Sequence, residues 1–308
     1  MIISVIIPVY NSEPIQKELY KRLSAVLNSY KHEYEIIYVN DGSHDNSAQA
    51  IKEICLKDKR IKLIDFSRNF GHQAAICAGL KKAKGDIVAI IDDDLQDPPE
   101  VLPKFLDKLQ EGYEVVYGIR KKRKENIFKR AIFHAFYRLL KLVSNYEIPY
   151  DSGDFCVMDR KIVDVINQFP ESNKFLRGIR SWAGFRQTGI EYERHSRYAG
   201  KSQYTLRKYL RFAFDAIFSF SYLPLRIMAL IGFCASGLSF IYGCYIFVNK
   251  LSGRIENVPG FTTISLSIIF IGGLMLISMG IIGEYIARLY DEAKRRPHYI
   301  IKDEIGFE

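Results

Sequence analysis

The stretch DIVAIIDDDLQDPPE, residues 86–100, joins a run of five apolar residues to three adjacent aspartates, Asp92, Asp93 and Asp94. An uninterrupted apolar run of this length is typical of a strand buried on both faces of a sheet. Adjacent carboxylates repel one another, so they either take up protons or are neutralised by a cation. The alternative is a solvated strand end that leads into a helix, with Asp97 as N-cap and Pro98 in the first turn. That alternative does not explain three carboxylates before the cap, so a cation site is favoured.

Similar apolar runs recur along the first 120 residues and alternate with amphipathic segments. Strands are predicted at residues 2–9, 34–39, 61–66, 86–91 and 113–118. Helices are predicted between them at residues 14–28, 45–57, 72–83 and 98–111. This alternation predicts an α/β fold whose mostly parallel sheet is covered by helices on both faces.

Polar side chains follow three of the predicted strands at the points where those strands end. Tyr10 and Asn11 follow the first strand, Asp41 follows the second, and the three aspartates follow the fourth. Ligands of such sheets bind beyond the carboxyl ends of the strands, so these residues are expected in one site. A hard cation such as Mg²⁺ or Mn²⁺ suits their oxygen atoms and is commonly shared with substrate phosphates. Alternation would put Asp92 and Asp94 on one side and Asp93 on the other.

Composition narrows the class of partner. The 308 residues carry a formal net charge of +9, which favours a nucleic acid, a membrane surface or a phosphorylated substrate. The length is about twice the ~150 residues of a typical domain, so one large or two modest units are expected. The five cysteines are scattered without a C-x-x-C pair, which indicates a reduced, cytosol-facing protein without a zinc site.

Two runs without any charged residue, 227–248 and 262–283, lie in the last third of the chain. Each run of 22 residues would be ~33 Å long as a helix, enough to cross a hydrocarbon core of ~30 Å. Two buried helices of a soluble core are the weaker alternative. Lys and Arg residues cluster before the first run and after the second, whereas the intervening loop has only Lys250 and Arg254. This asymmetry predicts two membrane spans with both chain ends in the cytoplasm.

Residues 204–226, before the first span, mix aromatic and basic side chains. The segment is either an amphipathic helix in the membrane interface or an ordinary packing helix. The basic run RKKRK at 120–124 is either a solvated helix face or a surface that attracts anionic lipid. The six histidines show no ligand spacing and are interpreted as ordinary surface or core residues.

Other functional classes lack their signatures. A nicotinamide oxidoreductase would need G-x-G-x-x-G after the first strand, where this chain has PVYNSE at 8–13. A processive polysaccharide synthase would carry Q-x-x-R-W, which RGIRSW at 177–182 does not match. A nucleic-acid binder fits the charge but not the spans, so no nucleic acid is expected as partner. A non-enzymatic membrane scaffold with a degenerate domain stays open, although the intact DDDLQD argues against it.

Four motifs, IIPVYN at 6–11, YVNDGSHDNS at 38–47, residues 66–100 and SGDFCVMDR at 152–160, together carry a family resemblance. In this order they resemble the inverting family-2 glycosyltransferases of the GT-A fold, specifically polyprenyl-phosphate glycosyltransferases related to dolichol-phosphate mannose synthase. RYAGKSQY at 197–204 and FSFSYLPLR at 218–226 extend the resemblance to both spans and narrow it to the bactoprenol glucosyltransferase branch. It covers nearly the whole chain.

The resemblance implies a domain plan and an activity. Residues 1–203 would form a cytoplasmic GT-A domain, followed by the juxtamembrane segment 204–226, span 227–248, periplasmic loop 249–261, span 262–283 and cytoplasmic tail 284–308. The enzyme would sit in the bacterial inner membrane and transfer glucose from UDP-glucose to undecaprenyl phosphate with Mg²⁺ or Mn²⁺. Another sugar, namely N-acetylglucosamine, galactose, mannose or an aminoarabinose type, or another lipid acceptor stays open. Similar two-span proteins can assemble as homo-tetramers.

The resemblance also implies roles for individual residues. Pro8, Tyr10 and Asp41, with Asn11 beside them, match positions that hold the nucleotide, and Asp92, Asp93, Asp94 and Gln96 match the stretch around the diphosphate. Within that stretch Asp92, Asp94 and Gln96 are the expected metal ligands, and Asp94 and Asp154 the candidate catalytic residues. Asp154 could equally have a structural hydrogen-bonding role. The matching arginines are Arg120 and Arg130 for the acceptor phosphate and Arg197 for the donor diphosphate.

Two positions depart from the family pattern. Cys156 stands where relatives often have the arginine of GDFR, and Gln203 stands where they have the lysine of SKY. Lys201 is the candidate to supply the missing charge to the donor. These departures mean that the family's diphosphate contacts do not carry over to this chain in detail.

Overall fold

The computed structural model describes residues 1–30, 32–121, 152–169, 171, 176–194, 223–252 and 260–307. The chain divides into two compact units. The first consists of residues 1–137, 146–203 and 296–308, and the second of residues 138–145 and 204–295.

The first unit is built on an eight-stranded sheet with the spatial order β7-β5-β6-β4-β1-β2-β3-β8. The strands are β1 (Ile2–Val9), β2 (Glu33–Asn40), β3 (Ile61–Phe66), β4 (Ile87–Ile90), β5 (Val115–Lys121), β6 (Ser152–Asp159), β7 (Gln187–Glu193) and β8 (Ile301–Ile305). The strands predicted at 2–9, 34–39, 61–66, 86–91 and 113–118 are confirmed, with bounds that differ by up to three residues. The α/β fold class is also confirmed.

Strand direction decides which residues meet. β4, β1, β2 and β3 run parallel, so their carboxyl ends lie at one edge of the sheet. β6 runs antiparallel to β4, with Cys156 opposite Ile90. The beginning of β6 therefore lies at the edge where β4 ends. For this reason Asp154 of β6 and the aspartates after β4 share that edge.

Helices cover both faces of the sheet. They are α1 (Gln16–Ser29), α2 (Ser47–Lys57), α3 (His72–Lys82), α4 (Leu102–Gln110), α5 (Arg160–Gln168) and α6 (Leu176–Trp182). One buried cluster joins alternate residues of β1, such as Val5, to α1, α2 and α4. The other joins Ile6 to α3, α5 and α6. A Cβ atom at Gly79 of α3 would lie 2.4 Å from Ile6 Cγ2, so a glycine is required where this helix crosses β1.

The C-terminal segment returns to the sheet. β8 pairs antiparallel with β3 at its edge, and the Tyr299 ring stacks on Phe66 with the ring centroids 5.0 Å apart. Two ion pairs add to this contact, Lys52 with Asp303 and Lys82 with Glu304. Residues 284–308 are thus not a simple tail, because residues 301–305 form a strand of the first unit.

The second unit contains two long apolar helices, α7 (Leu223–Leu251) and α8 (Phe261–Ala293). By length and composition, Pro224–Asn249 and Ser267–Ala293 could each cross a membrane. The uncharged runs predicted as spans lie within these helices. The second helix continues ten residues past the predicted span end at 283. The interfacial helix expected at 204–226 lies outside the described residues, apart from its last four.

Candidate functional site

The aspartates after β4 occupy a turn, not an extended strand end. β4 ends at Ile90, and Leu95 has a φ of 55°, in the left-handed region. The Asp94 Oδ1 atom accepts a hydrogen bond from the backbone N–H of Gln96 at 3.1 Å. The strand alternation expected for these residues therefore does not apply beyond Ile90.

Asp92 and Asp93 nevertheless face different neighbours. Asp93 accepts a hydrogen bond from the Ser12 hydroxyl, whereas Asp92 Oδ1 lies 3.5 Å from His72 Nε2. Burial raises the pKa of Asp93 to about 7, and the charges of Asp92 and Asp94 add to this effect. Burial also raises the pKa of Asp92, although His72 opposes the shift. Their ionised forms are therefore less favourable here than in water, and a bound cation would offset that cost.

The residues fit a divalent cation in one respect. Asp92 Oδ1 is buried and accepts no hydrogen bond from any residue in the described part of the chain. Within those residues no group of three His, Cys, Asp or Glu side chains is gathered as a complete cation cage. Mg²⁺ and Mn²⁺ sites in phosphate-transferring proteins commonly use one or two carboxylates and complete their coordination with substrate oxygens and water. The expected ligands Asp92, Asp94 and Gln96 could hold a cation in that way.

Asp154 is the most strongly held carboxylate of the site. Arg177 of α6 donates to both of its oxygens, at 2.8 and 3.0 Å, and Gln73 Nε2 donates to Oδ2 at 3.3 Å. His72 Nε2 lies 3.4 Å from the same Oδ2. Burial alone would raise the pKa of Asp154, but the charge of Arg177 and the hydrogen bonds hold it well below its usual range. Asp154 therefore stays ionised and is a poor proton acceptor.

His72 connects the two carboxylates. It is the first residue of α3, and its Nε2 lies within 3.5 Å of both Asp92 and Asp154. Partial burial lowers the pKa of His72, but the neighbouring carboxylates outweigh this effect and raise it to about 9. The imidazole is consequently a cation at neutral pH, between the end of β4 and the beginning of β6. The sequence did not single out any histidine, but the structure places this one between two carboxylates of the candidate site.

The residues expected to hold the nucleotide lie at the neighbouring strand ends. Asp41 is 3% exposed and accepts hydrogen bonds from the backbone N–H groups of Phe70, at 2.6 Å, and Gly71, at 3.0 Å. Asn11 Oδ1 accepts from the His44 N–H at 2.8 Å, and Tyr10 is 38% exposed. Asp41 thus also fixes the loop that leads into α3.

Gly42 shows how closely two of these loops approach. It has a φ of +61°, and a Cβ atom there would lie 2.3 Å from the carbonyl carbon of Arg68. Only glycine allows both this conformation and this approach. The NDGS loop after β2 and the SRNF loop after β3 are therefore held against each other, and Ser43 of the first accepts a hydrogen bond from the Asn11 N–H at 3.0 Å.

The remaining predicted site residues are only partly described. Pro8 is buried in β1, and Arg120 lies in β5, where its side chain is not described. Arg130, Arg197 and Lys201 lie outside the described residues. Their roles stay predictions.

The predicted alternative role of Asp97 as a helix N-cap differs from what the structure shows. A short 3₁₀ turn at Pro99–Val101 precedes α4, and its N-cap is Pro98. Asp97 is fully buried, accepts a hydrogen bond from the Tyr192 hydroxyl and lies 3.6 Å from Arg194 Nε. Asp97 therefore ties the DDDLQD loop to β7.

The edge thus gathers the aspartates after β4, the loops after β1, β2 and β3, and the ion pair of Arg177 with Asp154. Residues 4–166 match the family described as Glycosyl transferase family 2. Residues 223–289 match the family described as GtrB C-terminal hairpin. The chain belongs to glycosyl transferase family 2, and it is a glycosyltransferase.

Named relatives align over almost the whole chain. The glycosyltransferase YkcC of Bacillus subtilis (strain 168) is 45% identical over 99% of this chain and 94% of its own length. The bactoprenol glucosyl transferase of Shigella phage SfV is 39% identical over 99% of each chain. The family resemblance and the enzyme class predicted from the sequence are confirmed.

A solved structure shares the fold at low sequence identity. Glucosyl-3-phosphoglycerate synthase from Mycobacterium tuberculosis, in complex with Mn²⁺, uridine diphosphate and phosphoglyceric acid, has a TM-score of 0.51 and 16% identity. The similarity covers 70% of this chain and 76% of that chain. It supports the GT-A-like fold.

Proposed function

We propose that this glycosyltransferase transfers a sugar from a nucleotide sugar to the phosphate of a polyprenyl phosphate at the cytoplasmic face of a bacterial membrane. The full-length similarity to a bactoprenol glucosyl transferase supports a lipid phosphate as acceptor. The two apolar helices support access to that lipid. Glucose from UDP-glucose and undecaprenyl phosphate are the first donor and acceptor to test.

The state of Asp154 is the observation that carries this proposal. An alcohol acceptor needs a base to take its proton, whereas a phosphate monoester has a second pKa of about 6 and is already largely ionised near neutral pH. Asp154 accepts hydrogen bonds from Arg177 and Gln73 and has a pKa well below its usual range, so it is poorly suited as that base. The site therefore favours an acceptor that arrives as an anion. In this mechanism Asp154 positions side chains, and the acceptor oxygen attacks the sugar carbon directly.

On the donor side, the loops after β1, β2 and β3 are proposed to hold the nucleotide. Tyr10 is exposed enough to pack on a base, and Asp41 keeps the neighbouring loop in place. Asp92, Asp94 and Gln96 would hold Mg²⁺ or Mn²⁺, and a bound cation would supply charge stabilisation to the departing diphosphate. The structural neighbour in complex with Mn²⁺ and uridine diphosphate supports a cation of this type.

On the acceptor side, Arg120 and Arg130 are proposed to orient the lipid phosphate by paired hydrogen bonds, while Arg197 and Lys201 contact the donor diphosphate. Attack by the phosphate oxygen on the face opposite the leaving group is a single displacement. The anomeric carbon would consequently be inverted, so an α-linked donor would give a β-linked product.

The decisive experiment uses purified protein in membranes or detergent with a panel of labelled nucleotide sugars. We expect label to reach undecaprenyl phosphate from UDP-glucose, and undecaprenol without phosphate to stay unlabelled. The Asp94→Asn variant is the negative control, and the surface variant Asp164→Asn on α5 is the matched positive control. If undecaprenol is labelled as fast as its phosphate, an ionised acceptor is not required and the proposal fails. Transfer from a different sugar of the panel would correct the donor only.

A further inference from the structure

Arg180 is a buried cation that the proposed mechanism has not used. It lies on α6, is 3% exposed, and its guanidinium carbon lies 5.0 Å from the ring centroid of Tyr117. Its Nε and one terminal nitrogen donate no hydrogen bond to any residue of the described ranges. Burying a guanidinium without hydrogen-bond acceptors is strongly unfavourable. Packing on Tyr117 alone does not compensate for those missing acceptors.

Among the described residues, the neighbours of Arg180 do not balance its charge. Arg177 and Arg180 lie one turn apart on one face of α6, and Asp154 and Cys156 lie on one face of β6. The charges of Arg177 and Asp154 cancel, because the two residues form a bidentate pair. Arg180 lies beside Cys156, within hydrogen-bonding range of its sulfur, which is a weak acceptor. Burial raises the pKa of the Cys156 thiol, so that side chain stays neutral. Within the described part of the chain, the charge of Arg180 has no carboxylate of its own.

A small cavity of about 10 Å³ lies between these side chains, lined by Asp154, Cys156, Arg177 and Arg180 together with apolar residues. A cavity of this size has room for about one water molecule. A single phosphate oxygen is of similar size. Asp154 and Arg177 are 10% and 25% exposed, so this end of the cavity adjoins the site that receives the substrates.

We propose that Arg180 binds a phosphate oxygen of one substrate in this cavity. It thereby supplies, from α6, the positive charge that the GDFR pattern carries at the position of Cys156. This inference rests on the proposed function only in taking a phosphate-bearing substrate, which is either the donor diphosphate or the acceptor monoester. The ligand would pair with the charge that the described residues leave unbalanced.

The first test removes the guanidinium at position 180 and then restores one at position 156. Arg180→Met keeps most of the side-chain volume, and we expect a kcat/KM at least tenfold lower with an unfolding midpoint no lower than that of the wild type. Combining it with Cys156→Arg returns a guanidinium to the cavity from β6 and should restore kcat/KM to within about threefold. Arg186→Met is the matched control, since Arg186 also stacks on a tyrosine, Tyr113, but is exposed. If Arg180 had only a structural role, Arg180→Met would lower stability, and adding Cys156→Arg would not restore kcat/KM.

Direct binding separates this inference from the proposed function and identifies the source of the phosphate. Calorimetry with uridine diphosphate and Mn²⁺ reports on the donor, and farnesyl phosphate, a short polyprenyl phosphate, reports on the acceptor. We expect Arg180→Met to weaken one of the two at least tenfold and to leave the other within threefold. These measurements do not depend on which sugar is transferred. Unchanged affinity for both probes, or no binding of either by the wild type, would overturn the inference. If Arg180→Met does not fold, the neutral and polar Arg180→Gln variant is measured instead. Wild-type affinity of Arg180→Gln for both probes would refute the inference.

Discussion

The carboxylates at the sheet edge that carries the candidate site differ in how many hydrogen bonds they accept from the protein. Asp41 and Asp154 accept several hydrogen bonds from fixed donors, and each holds another part of the protein in place. Asp92 Oδ1 is buried without a hydrogen bond among the described residues, and the pKa of Asp93 is raised to about 7 by its burial. A cation added to this edge would consequently change the ionisation of Asp92 and Asp93 most.

Asp94→Asn should lower kcat by at least a hundredfold while leaving the unfolding midpoint unchanged, because the substitution removes a charge but little volume. Excess EDTA should inactivate the wild type, and Mn²⁺ or Mg²⁺ in excess should restore it. The measurement is initial rate of sugar transfer with circular dichroism as the folding control. Full activity in EDTA would contradict a cation-dependent reaction.

His72→Gln should lower kcat/KM about tenfold, because it removes the cation that separates Asp92 from Asp154. Repulsion between those two carboxylates would then displace the side chains that hold substrate. His32→Gln is the matched control, since His32 precedes β2 at the opposite edge of the sheet. The comparison requires steady-state kinetics of both variants, and equal kinetics in the two would show that His72 has no role.

The sequence predicted the aspartates and Asp41 at one edge because apolar strand periodicity locates strand ends. It did not predict His72, Arg177 or Arg180. The partners of His72 and Arg177 on β6 are far along the chain, and no local pattern joins them. The string RGIRSW contains both arginines, but nothing in it indicates a contact with β6. The contacts of His72 and Arg177 with Asp154 can be found only once β6 is known to pair antiparallel with β4.

At the scale of elements, a buried charge network joins β1, β2 and β3 at the edge opposite the site. Glu35 is 6% exposed and accepts hydrogen bonds from Ser4 Oγ at 2.5 Å, Lys62 Nζ at 2.6 Å and the Lys84 N–H at 2.7 Å. Burial alone would raise the pKa of Glu35, but these hydrogen bonds outweigh it and lower the pKa. The ionised form of Glu35 therefore stabilises the sheet.

This network predicts an acid-sensitive part of the stability. Because the pKa of Glu35 is lower in the folded than in the unfolded chain, its contribution is complete above the ordinary glutamate pKa of about 4.3 and is lost as the pH falls below it. Glu35→Gln should be less stable than the wild type by about 1–3 kcal/mol at pH 7, and the difference should shrink between pH 5 and 3. Thermal unfolding at several pH values measures this. Glu111→Gln, in an exposed pair with Lys108, should show no such pH dependence.

Strands were predictable to different degrees. β1 to β4 are almost wholly buried, so each is an apolar run that the sequence displays. β8, with the sequence IKDEI, carries three exposed charged residues because it lies at the sheet edge, and its pattern resembles a solvated tail. β7 is likewise polar and only half-buried. Edge strands are specified by their partner strand more than by their own sequence.

At the scale of the whole molecule, the chain leaves the first unit before α7 and re-enters it after α8. If the two apolar helices both cross a membrane, both connections to the catalytic sheet lie on the same side. A cysteine at Asn257, in a background without the five native cysteines, should therefore react with an impermeant thiol reagent added from the periplasm. A cysteine at Lys302 should react only after the membrane is opened. The reverse result, with the cysteine at 302 labelled from the periplasm and the cysteine at 257 protected, would contradict this topology. It would place the catalytic domain on the side of the membrane that lacks nucleotide sugars.

The position of β8 also sets an order of events during synthesis. Chains emerge from the ribosome N-terminus first, so β3 is made before both apolar helices and its partner β8 is made last. Until residues 301–305 emerge, β3 presents an unpaired edge that could bind another unfinished chain. The sheet can be closed only after the two helices have been translated. A sheet with β8 paired therefore shows that both apolar helices have already been made. A chain interrupted within either helix would keep an open sheet edge and be a substrate for chaperones or proteases.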